Sequence, residues 1–364
     1  MDYYAPRRDR LRRLIHDAGA DALLVTSFTN VTYLTGFTGD DSYLLVRQDG
    51  EVLISDPRYT TQLEEECPGL ELLIRPPGTT MLKAIGKVAR SAKIGRLGIE
   101  GSSMTVGLHG QIAAELPTVE LVTTDGLVEQ LRQIKDKMEI DRFRDAIRMA
   151  EKGFEVLRST LRKEKTEKQI AAELELAMRQ FGAKGCAFPS IVAVGPRAAL
   201  PHATPTDATV GASNHLLVDW GAHEGMYRSD LTRVLITGKI SPKLRKVYDT
   251  VLNAQVAAIK AVRPGIVAEK VDAVARNIIA KAGFGRYFGH GLGHGLGLDI
   301  HEAPRLAVGN QTVLQPGMVV TVEPGIYLPG WGGVRIEDDI LVTKTGYEVL
   351  TSVNKSFEEA IVDC

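Results

Sequence analysis

The sequence predicts an α+β protein of two domains, a smaller α/β unit over residues 1–130 and a larger α+β domain over 131–364. Three observations carry that expectation. A chain of 364 residues is long for one hydrophobic core. Its first part alternates short strand-like and helix-like segments. Its later part groups strands, then paired helices, then strands again, the ordering of an α+β domain rather than a doubly wound sheet.

In chain order, Leu11, Leu14 and Ile15 fall at helical spacing between Asp9 and Ala18, and Gly19 supplies a stop. Ala22 to Thr26 reads as a buried strand. Tyr43 to Val46 and Val52 to Ser55 read as a hairpin turned by Asp49-Gly50. Leu72 to Arg75 is a further short strand, Met81 to Ala89 a helix, and Leu97 to Ile99 and Leu121-Val122 complete the alternation. From Leu127 to Leu161 a single charged helical stretch carries Leu131, Ile134, Met138, Ile140, Phe143, Ile147 and Phe154 on an apolar face, and the domain boundary is placed near its start. Thr166 caps a second helix through Phe181. Strands are expected at Val192 to Val194, Leu216 to Val218, Ser229 to Ile236, Val319 to Val322 and Ile336 to Val342. Two helices interrupt them, one opened by Ser241-Pro242 and running to Val262, the other from about Val267 to Ala282 and ended by Gly283.

Lys+Arg 44 against Asp+Glu 45 leaves a formal charge of -1, which offers no whole-protein attraction to nucleic acid or anionic lipid. Apolar runs are too short for a membrane span. Three scattered cysteines, Cys67, Cys186 and Cys364, make neither a disulfide scaffold nor a CxxC site. No apolar h-region follows the basic residues Arg7 to Arg13, so a cytoplasmic location is expected.

Six of the eight histidines lie beyond residue 200, three of them in the segment Gly289 to Glu302, where glycine recurs at every second position from Gly289 to Gly297. That spacing fails the GxGxxG dinucleotide fingerprint, and no GxxxxGK[ST] loop occurs. A flexible surface loop with incidental histidines is the bland alternative. Acidic residues also interrupt apolar strands: Asp219 follows Leu216 to Val218, Asp230 precedes Leu231, Glu323 ends Val319 to Val322, and Glu337 follows Ile336. Each has a structural alternative. Asp219 could cap the Trp220-Gly221 turn, Asp230 could pair with Arg233 or Arg228, Glu323 could sit in the Pro324-Gly325 turn, and Glu337-Asp338-Asp339 could be an exposed charge run. Jointly a metal centre explains them better, because clustered buried carboxylates are costly unless a cation compensates them. Four carboxylates and one neutral imidazole carry -4, which two divalent ions balance. Oxygen-rich ligation with one nitrogen suits Mn²⁺ or Fe²⁺ better than a thiolate-type zinc site.

Over nearly its full length the chain resembles the M24 "pita-bread" metallopeptidases, in particular Xaa-Pro dipeptidase (prolidase) and aminopeptidase P. Thr29 to Phe37 and Asp56-Pro57-Arg58-Tyr59 are similar to their α/β creatinase-type N-terminal domain, and the segments after about residue 136 to their catalytic domain. The resemblance implies a ligand set of Asp219, Asp230, His294, Glu323 and Glu337 for two divalent ions per subunit, Mn²⁺ by preference with Co²⁺ or Zn²⁺ as alternatives. Asp230 and Glu337 would bridge the pair. It implies that His202, His290 and His301 contact substrate, that Arg335 orients the bridging carboxylates, and that Glu323 moves a proton. The implied reaction is attack of a metal-bridging hydroxide on the bond before proline. Arg305 resembles the carboxylate-binding arginine of prolidases, so Xaa-Pro dipeptides are the expected substrate, with aminopeptidase P action on longer peptides as the alternative. A methionine aminopeptidase and an inactive peptide-binding relative are weaker readings. The resemblance further implies a homodimer acting on short proline-containing peptides, with no nucleic acid or membrane partner.

Overall fold

The computed structural model describes residues 3–364. The chain divides into two compact units, Met1–Arg132 and Gln133–Cys364. In the first, apolar four- to six-residue runs pair into a six-stranded mixed sheet of order Leu72–Ile74, Gly50–Ser55, Tyr43–Arg47, Ala22–Val25, Arg96–Glu100, Glu120–Thr124. The hairpin turns one residue earlier than expected: Gly50 pairs with Arg47, leaving Gln48 and Asp49 as the turn, a register that sets Leu44 opposite Leu53 and Leu45 opposite Val52. The first helix runs Tyr4–Asp17, starting earlier than its apolar spacing suggests, and Gly19 follows at φ +71°. Sequence periodicity gave no helix at Phe28–Thr35, which holds three threonines and one valine, yet that segment is helical; Val31 and Leu34 are buried, and Gly36 ends it at φ +83°.

In the second unit the expected single helix from Leu127 to Leu161 is two, Leu127–Arg132 belonging to the first unit and Lys137–Thr160 to the second. Asp136 forces the break. Its carboxylate accepts from the Glu139 N–H (3.0 Å) and the Glu139 side chain accepts from the Asp136 N–H (3.0 Å), a reciprocal cap that requires extended backbone at Asp136. Thr166 and Gln169 repeat the device on Glu167–Gln180, while Ser241 and Pro242 open Pro242–Ala261. Its partner helix is Ala268–Lys281.

These two helix pairs face opposite sides of antiparallel sheet. Strand His215–Trp220 lies between Ile191–Val194 and Leu231–Ile236. Because side chains alternate along a strand, Leu216, Val218 and Trp220 pack with Phe154, Leu157, Ile170 and Leu174 of the first helix pair. Leu217 and its cross-strand partner Val234 pack instead with Leu244, Val247, Val251 and Val271 of the second. A five-stranded antiparallel sheet, ordered Glu302–Leu306, Gly293–Gly295, Val319–Val322, Asp338–Val342, Tyr347–Val349, and the hairpin Gly325–Leu328/Gly332–Arg335 complete that core. This is a mixed α/β fold, its catalytic-type unit having the α+β, pita-bread form, with a creatinase-like unit before it.

Candidate metal centre

Asp219 shares the face of Leu217 and stands directly opposite Thr232, so strand alternation aims it into the interior of the second unit. The other acids sit where strands are interrupted. Instead of one strand from Ser229 to Ile236 there are two, Tyr227–Arg228 and Leu231–Ile236, with Asp230 in the gap. Glu337 lies between Gly332–Arg335 and Asp338–Val342, and Glu323 between Val319–Val322 and Gly325–Leu328. The backbone groups freed by these interruptions find other partners, as buried N–H groups must. The Asp230 N–H donates to Asp339 Oδ2 (3.2 Å), the Glu337 N–H to the Thr232 carbonyl (3.2 Å), and the Glu323 N–H to the Leu292 carbonyl (2.8 Å).

The middle of the glycine-rich histidine segment is a short central strand, while His290 and His301 lie outside it. Gly293–Gly295 runs between Glu302–Leu306 and Val319–Val322. A Cβ on Gly293 would stand 2.0 Å from the Thr321 carbonyl oxygen, and one on Gly295 would stand 2.3 Å from that of Ala303. Only glycine tolerates such an approach. Between them His294 directs Nε2 to within 3.6 Å of Asp230 Oδ2 and 3.4 Å of Glu323 Oε1. Its Nδ1 lies 3.0 Å from the Gly295 carbonyl, which can only accept, so Nδ1 carries the hydrogen and Nε2 presents its lone pair to the acids. Burial lowers the imidazole to about 4, so it is neutral at pH 7.

Among the described residues, Asp230, His294 and Glu337 each offer a ligand atom within 4.8 Å of one another and form a candidate metal site. Burial first, and then the neighbouring carboxylates, raise Asp230 and Glu337 well above the ordinary carboxylate range. Burial also pushes Glu323 up to about 8. Asp219 Oδ1 is buried without a hydrogen-bond partner. An unsatisfied buried oxygen, mutually repelling acids and a correctly turned neutral imidazole fit a divalent cation, which would favour every one of these groups in its ligating form.

Arg335 joins this cluster to its surroundings. Its guanidinium donates to Asp219 Oδ2 (2.5 Å), Thr232 Oγ1 (3.1 Å) and the Tyr327 hydroxyl (2.8 Å). Thr232 in turn donates to Glu337 Oε2 (2.6 Å). Arg335 therefore contacts Asp219 directly but reaches Glu337 through a threonine, whereas the resemblance led to the expectation that it orients the bridging acids. His290 lies 2.8 Å from the Tyr327 hydroxyl through Nε2 and 2.7 Å from the Gly291 carbonyl through Nδ1, so both ring nitrogens are engaged within the protein. His301 places its ring 4.4 Å from that of His294, edge to face, and is exposed. His202 and Arg305 are also exposed. His202 is within electrostatic reach of His290 and His301, and Arg305 of His294, His301 and Glu323, which places both near the cluster.

The alternative pairings of the acids do not occur. Arg233 pairs with Asp338 (2.7 Å) rather than Asp230, and Arg228 donates to the carbonyls of Ala187 and Leu298. Glu337, Asp338 and Asp339 are all buried and make no exposed charge run. Thr232, Tyr327 and Asp339 went unremarked in the sequence.

The profile of metallopeptidase family M24 matches residues 141–344, and that of the creatinase/prolidase N-terminal domain matches residues 7–134. An Xaa-Pro dipeptidase of Pyrococcus horikoshii is 35% identical over 356 residues, covering 98% of this chain and 99% of that protein. Among solved structures, an Xaa-Pro dipeptidase from Bacillus anthracis superposes with a TM-score of 0.94 at 38% identity, over 97% of this chain and 99% of its own. An X-Pro aminopeptidase from Thermotoga maritima gives 0.90 at 36%, over 98% and 100%. A chain of this fold carrying such a cluster of acids around an imidazole is a metal-dependent hydrolase. It belongs to metallopeptidase family M24.

Proposed function

We propose that the protein hydrolyses the peptide bond before proline, acting first on Xaa-Pro dipeptides, with two divalent ions held by Asp219, Asp230, His294, Glu323 and Glu337. The observation that carries this reading is His294, whose Nε2 lone pair faces Asp230 and Glu323 at 3.6 and 3.4 Å. Relatives named Xaa-Pro dipeptidase and X-Pro aminopeptidase at 35% and 36% identity over almost the whole chain support the substrate class. Manganese is the preferred ion, since four carboxylates and one imidazole form a hard donor set.

When bound, the ions supply Lewis acidity, lowering the pKa of water and polarising the scissile carbonyl. The residues of the chain do the rest. Glu323, buried beside His294 Nε2, accepts the proton released by water and passes it to the departing proline nitrogen. In this reading His301, exposed beside His294, donates to the substrate carbonyl. His290, steadied by the Tyr327 hydroxyl, and His202 contact the substrate in the same reading. Arg305 pairs with the free carboxylate of a dipeptide, a contact available to a planar guanidinium. Without that contact longer peptides would fit equally, and the similarity to the Thermotoga maritima aminopeptidase favours this second reading. A homodimer in the cytoplasm is part of the proposal; among the described residues no helix is long and apolar enough to cross a membrane.

Hydrolysis of Ala-Pro, Ala-Pro-Ala and Ala-Ala by Mn²⁺-loaded protein tests the proposal. Cleavage of Ala-Pro alone is expected. Comparable tripeptide cleavage would establish the aminopeptidase reading, and cleavage of Ala-Ala alone would refute proline specificity.

A further inference from the structure

Asp338, the residue after Glu337, offers no atom to the cluster of acids around His294, yet it is 1% exposed and accepts from four side chains. These are Arg233 Nη2 (2.7 Å), Gln255 Nε2 (2.8 Å), Thr351 Oγ1 (2.8 Å) and Lys355 Nζ. Burial by itself would raise this carboxyl, but Arg233 and Lys355 outweigh it and hold it low, so it is ionised at neutral pH. Arg233 uses its other nitrogen on the main chain. Nη1 donates to the carbonyl of Thr232 (2.9 Å) and to that of Glu337 (2.5 Å), while Nη2 also reaches the Val353 carbonyl (2.6 Å).

Thr232 and Glu337 meet only as an isolated bridge, outside any continuous ladder. One guanidinium thus clamps both sides of the junction from which the Thr232 hydroxyl holds Glu337 Oε2. The clamp is aimed by Asp338 and by residues 351–355, a stretch with no helix or strand of its own. That stretch is fixed by the Glu151 carboxylate on Ser352 Oγ (2.8 Å) and by the Tyr248 hydroxyl on the Lys355 carbonyl (3.1 Å).

We propose that the Arg233–Asp338 pair, locked by Thr351, Val353 and Lys355 of the C-terminal segment, is the positioning device for Glu337, so that this segment sets the protein's affinity for its cations. The proposal rests on the reading of Glu337 as a metal ligand. A buried ion pair contributes little to stability that apolar packing could not replace, whereas the several donors of one guanidinium can hold three carbonyls and a carboxylate at once.

Charge and aim act in opposite directions at Lys355, which makes the two separable. Removing its positive charge near a cation site would tighten Mn²⁺ binding by electrostatics alone, whereas loosening Asp338 weakens it. The test is titration of chelator-stripped protein with Mn²⁺, free Mn²⁺ being read by electron paramagnetic resonance, alongside thermal melts of the metal-free form. Asp338→Asn is expected to weaken Mn²⁺ binding about 10- to 100-fold, the usual range for partners that orient ligands. Thr351→Val and Lys355→Met, milder changes that carry the test if Asp338→Asn does not fold, are expected to weaken it measurably, by no more than the roughly 10-fold lower end of that range. Lys355→Arg is expected to restore it. Variants that melt earlier without metal yet bind Mn²⁺ with unaltered or higher affinity would overturn the proposal. Glu337→Ala serves as the control. Unchanged Mn²⁺ binding in that variant would overturn the ligand assignment itself, and the proposal with it.

Discussion

Replacing Thr232 with valine removes one hydroxyl from a fully buried position without opening a large cavity. That oxygen has two duties, donating to Glu337 Oε2 at 2.6 Å and accepting from Arg335 Nε at 3.1 Å. A hydrogen bond to a charged group is worth about 1.5–3 kcal/mol, and a buried donor left unpaired costs about 1–3 kcal/mol. The first loss falls on the metal ligand in its ionised form, so it weakens Mn²⁺ binding by about 10- to 100-fold, the range typical of such partners. The second falls on the metal-free fold. For a domain of this size each kcal/mol lowers Tm by about 2–4 °C, so a drop of several degrees is expected. Calorimetric Mn²⁺ titration and thermal melts measure the two separately. Thr232→Ser, which keeps the oxygen, is expected to bind Mn²⁺ within about threefold of the parent, a difference below 1 kcal/mol. Wild-type affinity in Thr232→Val would refute the reasoning that Glu337 is held in place through this hydroxyl.

Three further outcomes are expected. Glu337→Ala abolishes Ala-Pro hydrolysis and the tightest Mn²⁺ binding, and full activity with full metal occupancy would contradict its role. Arg305→Ala raises KM for Ala-Pro by about 10-fold or more through loss of a charged hydrogen bond and leaves Ala-Pro-Ala unaffected; an equal rise for both substrates would remove the carboxylate contact. In the metal-free protein Glu323, raised to about 8 by burial, still holds through pH 6.5 to 8 a proton that the unfolded chain has already released, and burial raises Asp230 and Glu337 in the same direction. Stability therefore falls as pH rises through that window. The buried imidazoles His215, His290 and His294, lowered to about 4, act in the opposite sense, mainly between pH 4 and 6.5 and fading above it as the unfolded chain loses their protons. Thermal melts should show Tm of metal-free protein decreasing from pH 6.5 to 8 and saturating Mn²⁺ removing that slope. A rising Tm without metal would contradict the clustering of acids.

The strands and the acids that interrupt them were legible because both leave local marks, apolar runs of a few residues broken by carboxylates. Asp230, Glu323 and Glu337 each fall at such a break, and the glycines flanking His294 mark a backbone packed too closely for side chains. What stayed hidden depends on pairing between distant segments. Thr232 meets Glu337 across 105 positions and Arg233 meets Asp338 across the same separation, and no periodicity encodes either. The same limit let Arg233 pass as a partner for the nearby Asp230 and let Asp338 and Asp339 pass as solvated charge. Helix Phe28–Thr35 was hidden for a different reason: its β-branched residues disfavour a helix locally, and burial of Val31 and Leu34 outweighs that preference.

The most direct test of the account is the anomalous diffraction of crystals of this protein grown with Mn²⁺. Two peaks are expected among Asp219, Asp230, His294, Glu323 and Glu337, with Asp230 and Glu337 touching both ions and His294 Nε2 one of them. Ordered Mn²⁺ elsewhere on the protein, with these five side chains bound to nothing but one another, would contradict it.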